Sequence, residues 1–68
     1  MDITENLRAI RKANGLSQAD IAELLGTTQQ QYSKYENGTH ELPISRLIIL
    51  CKYYKVSANW LLGIEEEV

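Results

Sequence analysis

Gln29, Gln30 and Gln31, followed by Ser33 and Lys34, are the residues of this 68-residue sequence best equipped to read another molecule. A glutamine amide holds a donor and an acceptor side by side, which suits the N6/N7 edge of adenine, and a lysine ammonium suits guanine. The plainer reading is that the glutamines only keep a surface helix soluble. Against it, solvent faces usually carry Glu and Lys, whereas this strip is neutral or basic. Gln31 is the weakest member of the set, since it also completes a Thr28-x-x-Gln31 capping box.

Two short helices joined by a tight turn must present these side chains, over residues 17–38. Ser17 is a good N-cap, and Ile21, Ala22, Leu24 and Leu25 follow at helical spacing. Gly26 ends the first of the pair, where a positive φ is usually wanted. Thr28 opens the second. Its Tyr32 and Tyr35 share one face, which leaves Gln29, Gln30, Ser33 and Lys34 pointing outward until Asn37-Gly38 stops the helix.

The remaining elements are also helical, so the expected fold class is all-α, a compact five-helix domain over residues 1–63. A first helix over residues 3–14 has Asp2 and Glu5 for a capping box, Ile3, Leu7 and Ile10 as its buried stripe, and Arg8, Arg11 and Lys12 outside. Pro43 suits the first turn of a helix over residues 43–54. Ile44, Leu47, Ile48, Leu50, Cys51 and Tyr54 fall on one broad arc expected to face the core, and Ile49 and Tyr53 point away from it. That exposed pair is either an ordinary surface irregularity or a small patch for a protein partner. Ser57 caps a last helix over residues 58–62, Trp60 is expected to be partly buried, and residues 64–68 form an acidic tail expected to be disordered.

Composition narrows the function classes. The net charge is −2, but Asp2, Glu65, Glu66 and Glu67 supply four of the nine acidic groups, and residues 3–64 hold seven basic side chains against five acidic ones. The body is mildly basic, consistent with weak non-specific binding to a polyanion and a shallow salt dependence. One cysteine, Cys51, rules out an internal disulfide and a cysteine-only metal site. No apolar run approaches the ~20 residues that span a bilayer. With one histidine, His40, and no Gly-rich phosphate loop, neither catalysis nor a metal or cofactor is expected.

Taken in order, Ser17-Gln18, Ala22, Gly26, Thr27-Thr28-Gln29-Gln30, Tyr35-Glu36-Asn37-Gly38, Val56-Ser57 and Trp60-Leu61-Leu62-Gly63 resemble a known family. It is the lambda-repressor-like, Cro/C1-type helix-turn-helix regulators of bacteria and their phages, also called the xenobiotic-response-element family. The resemblance implies a regulator, most often a repressor, that binds a palindromic operator in double-stranded DNA as a homodimer in the bacterial cytoplasm. The recognition helix would span residues 28–36, with Gln29, Gln30, Ser33 and Lys34 reading bases. Gln18, Thr28, Asn37 and Thr39 would contact phosphates. So would Tyr32, which replaces the family's common smaller aliphatic and is expected to send its hydroxyl to the surface. Arg11 and Glu36 would form a structural brace, and residues 56–60, or Ile49 and Tyr53, with Trp60, would offer a partner surface. No membrane or small-molecule ligand is implied. The alternative is a protein-interaction module of the same fold, such as an antitoxin or phage accessory protein.

Overall fold

Short polar side chains fix where the helices begin in the computed structural model, which describes residues 2–64. Asp2 accepts the Glu5 N–H at 3.0 Å and opens α1 (Ile3–Ala13). Ser17 opens α2 (Gln18–Leu25) with a complete capping box: its hydroxyl accepts from Asp20 N–H at 3.0 Å, and the Asp20 carboxylate accepts from Ser17 N–H at 2.9 Å. Thr28 accepts the Gln31 N–H at 3.1 Å to open α3 (Gln29–Glu36). Pro43 precedes α4 (Ile44–Tyr54) without a side-chain cap, and Ser57 accepts from Trp60 N–H to open α5 (Ala58–Leu62). Each side-chain cap is worth about 1 kcal/mol. The reciprocal boxes expected at Asp2/Glu5 and Thr28/Gln31 form only this one arm; the Gln31 amide nitrogen is bonded to the Tyr35 hydroxyl.

The turn between α2 and α3 depends on Gly26, whose φ of +71° lets its own N–H and that of Thr27 return to the carbonyls of Glu23 and Ala22. Lys55 makes the same left-handed turn after α4 with a side chain attached, at φ +59°. That conformation costs a non-glycine residue about 1 kcal/mol.

Leu7, Ile21, Ala22, Leu25, Tyr32, Tyr35, Leu47, Leu50 and Leu61 form one core. Helix α2 packs on α3, α1 on both α3 and α5, and α4 on α5. The α1–α5 contact includes a polar tie: the buried Asn6 amide donates to the carbonyl of Trp60 at 2.9 Å and to that of Leu61 at 3.4 Å. Trp60 is half-buried against the core.

Helix α4 departs from the expected arc. Leu47 and Leu50 are buried with Cys51 and Tyr54 beside them, but Ile44 is 73 % and Ile48 47 % exposed. Periodicity could not choose between the arcs, since apolar residues occupy most of this helix's circumference. Ile49 and Tyr53 are exposed as expected. Among the described residues no helix is long and apolar enough to cross a membrane. Residues 65–68 of the acidic tail lie outside the described residues.

Candidate nucleic-acid interface

Helix α3 contains no aliphatic side chain, so aromatic and charged groups hold its inner face. Tyr32 and Tyr35 pack edge to face, with ring centroids 6.2 Å apart. Glu36 is buried at the end of the helix and receives the Arg11 guanidinium through two bonds, Nε to Oε2 at 2.7 Å and Nη2 to Oε1 at 3.1 Å. Gln18 donates its amide to the same carboxylate at 3.2 Å, and Arg8 donates to the Glu36 carbonyl at 3.0 Å. A third Arg11 donor reaches the Leu16 carbonyl at 2.9 Å. The C-terminal end of α3 is thereby tied to α1, to the start of α2 and to the link between them. Burial works against the Glu36 charge, but the interactions with Arg11, the Tyr32 hydroxyl and Gln18 outweigh it and hold the carboxyl below its ordinary range.

With the inner face fixed, the outer one is determined. Gln18, Gln29, Gln30, Ser33, Lys34 and Asn37 line a single open concavity between the start of α2 and the exposed side of α3. All four expected base readers are in this lining, with Gln18 and Asn37 from the expected phosphate set. Lys34 is its only charged residue. Thr28 and Thr39 are exposed outside it. Both Thr39 donors are committed locally, the N–H to Asn37 Oδ1 at 3.0 Å and the hydroxyl to the same atom at 2.6 Å, so Thr39 is a poor candidate for a phosphate. The same bonds occupy the Asn37 amide oxygen and leave its nitrogen without a bond from Thr39.

An open, amide-lined concavity on the second of two helices joined by a glycine turn is the arrangement of a helix-turn-helix, and residues 7–61 match the model of that family. The chain belongs to the Cro/C1-type helix-turn-helix family. It is similar to the uncharacterized HTH-type transcriptional regulator YobD of Bacillus subtilis, 33 % identical over 63 residues that cover 93 % of this chain and 56 % of YobD. It is also similar to antitoxin PezA of Streptococcus pneumoniae, 33 % identical over 55 residues, covering 81 % of this chain and 35 % of PezA. The chain thus spans about half the length of the first of these relatives and about a third of the second. Among solved structures, a transcriptional regulator from Listeria innocua superposes with a TM-score of 0.89 at 34 % identity, over 98 % of this chain and 63 % of that one. The P22 c2 repressor in complex with a synthetic operator superposes at 0.84 and 26 % identity, over 96 % and 98 %.

Against this helix-turn-helix frame, one expected contact is corrected. Tyr32 is 0 % exposed, and its hydroxyl is buried without a well-formed hydrogen bond. Burial first, then the neighbouring Glu36 carboxylate, push its phenol pKa far up. The side chain points into the core and cannot reach a phosphate: the site has room for the whole ring, so the hydroxyl is carried inward with it. Sequence reasoning also missed three ties. Arg8 reaches the end of α3, Asn6 reaches α5, and Arg46 donates from α4 to the Tyr35 hydroxyl at 2.6 Å. No sequence signal marks them, because each joins residues from different helices across one or more loops.

Proposed function

We infer that this chain is a sequence-specific double-stranded DNA-binding transcriptional regulator, acting as a repressor in the bacterial cytoplasm. The observation that carries this reading is the clustering of Gln29, Gln30, Ser33 and Lys34 with Gln18 and Asn37 in one concavity free of carboxylates. Laid in the major groove, α3 directs Gln29 and Gln30 at base edges from its N-terminal end, with Ser33 and Lys34 one turn on. Gln18, Thr28 and Asn37 set the register on the backbone without reading sequence. The P22 c2 repressor, solved with a synthetic operator, supports this docking mode. A homodimer would read two half-sites ~34–36 Å apart, which gives the small single-domain interface useful specificity.

The test is selection of duplexes from a random pool, followed by binding to the selected site. Gln29→Ala and Gln30→Ala should each remove ~1–3 kcal/mol of discrimination while the helical circular dichroism is retained. Selection that is unchanged by the double substitution overturns the reading. The second reading is a protein-interaction module, favoured by the exposed Ile44, Ile48, Ile49 and Tyr53 on α4 and by the similarity to antitoxin PezA. It predicts the opposite pattern: function survives loss of the glutamines and is lost on Ile49→Lys.

A further inference from the structure

We propose that the outer face of α4 is a docking site for the acidic segment of the same chain, in which Ile64 and Val68 flank Glu65, Glu66 and Glu67. The proposal goes beyond the DNA-binding reading and does not depend on it.

Charge is divided unevenly along the sequence. Between Glu41 and Glu65 there is no acidic side chain, while Arg46, Lys52 and Lys55 fall in that stretch, which is therefore basic in a chain of net charge −2. Helix α4 shows this excess to solvent beside apolar residues. Ile48 is 47 %, Ile49 39 % and Tyr53 49 % exposed, and Lys52 and Lys55 are exposed with them. At ~100° per residue, Lys52 falls between Ile48 and Ile49 around the axis, one turn on. Among the described residues neither lysine has an ion pair. An occupant of this face must bring carboxylates and apolar side chains together. A twofold contact between two α4 helices would instead bring Lys52 toward its own copy, and like charges oppose such a contact.

Residues 64–68 have the required composition. Three carboxylates stand between two apolar ends, and Ile64 is itself 65 % exposed. An isolated surface ion pair contributes little, so burial of the isoleucines is a necessary part of the seat. The reach is sufficient. Gly63 turns the chain back at φ +77°, and the Ile64 N–H bonds to the Asn59 carbonyl at 3.0 Å. The segment thus departs beside Asn59, whose Cα is at most ~15 Å from that of Lys55, four residues earlier. Residues 65–67 extend ~10 Å from Ile64, and the side chains of a Lys–Glu pair close the remainder.

The experiment treats the full chain, as a mixture of isotopically light and heavy copies, with a carbodiimide that joins lysines to carboxylates in contact. Mass spectrometry then maps the links. The expected result is linkage of Glu65, Glu66 or Glu67 to Lys52 or Lys55, several-fold more frequent than to Lys12 or Lys34 and within single copies. Ile48→Ser combined with Ile49→Ser should lower that yield several-fold while the helical circular dichroism is retained. Without touching α4, the combined Glu65→Gln, Glu66→Gln and Glu67→Gln should shift the amide resonances of Ile48, Ile49, Lys52 and Tyr53 but not those of Gln29 and Gln30. Equal linkage to all four lysines describes a free segment and overturns the proposal. Links between light and heavy copies overturn it in favour of a contact between two chains. A yield that survives the serine pair, or α4 resonances that do not move, overturns it as well.

Discussion

Helices α3 and α4 turn opposite kinds of surface to solvent. Helix α3 exposes Gln29, Gln30 and Lys34 and has no aliphatic residue, while α4 exposes Ile44, Ile48, Ile49 and Tyr53. Their inner faces differ in the same sense. Leu47 and Leu50 seat α4 by burial, a non-directional force. Two tyrosines and a buried ion pair seat α3, and the Arg11–Glu36 bonds are directional. Burial alone leaves a helix some freedom to roll about its axis, whereas a two-bond guanidinium–carboxylate pair does not. A helix that must aim particular amides at particular base edges needs that second kind of anchor.

Breaking the anchor should give the largest effect. Glu36→Gln leaves Arg11 buried without its counter-charge and should destabilise the fold by about 3–5 kcal/mol, measured by urea denaturation. Acid should approach the same state reversibly. The Glu36 carboxyl has its pKa lowered in the folded chain, so its contribution is complete above its ordinary 4.5 and is lost as pH falls from there through the folded value. A melting temperature that stays flat below that point in the native chain, but falls in Glu36→Gln, would reverse the assignment.

The outer face of α4 should respond differently. Ile49→Lys should change stability by no more than ~0.5 kcal/mol, because the side chain is already exposed. Sedimentation equilibrium with a selected duplex then shows whether this face joins two copies. If α4 supplies the dimer surface, the substituted chain binds as a monomer. Smallest of all is the effect of Tyr32→Phe on DNA binding; the variant loses a buried hydroxyl that supports the Glu36 carboxylate and should give up some stability for that reason. Its affinity for the selected duplex should not change, whereas a several-fold loss would restore Tyr32 to the interface.

The same contrast explains what was legible in the sequence. Caps and glycines are local signals, so Ser17, Gly26, Thr28 and Ser57 located the helices to within a residue. The outward set on α3 was legible because only its tyrosines were large and apolar. On α4, apolar side chains nearly all round removed that contrast, and Ile44 and Ile48 were assigned to the wrong side. Tyr32 was misread because residue type alone does not show whether the core has room for a ring. The bonds of Gln18 to Glu36 and of Arg46 to Tyr35 depend on how separate helices meet, which no local pattern encodes.

The amide of Asn6 finds its acceptors 54 residues downstream, in the last helix. During synthesis that partner is among the last parts of the described fold to emerge, so in a nascent chain that has already made α1 to α4 the Asn6 amide is still left to water and the α1 face meant for α5 is uncovered. The contact between α1 and α5 therefore closes only once Trp60 and Leu61 have cleared the ribosome. A chain cut short before Ser57 should be an early target for proteolysis rather than a smaller working reader.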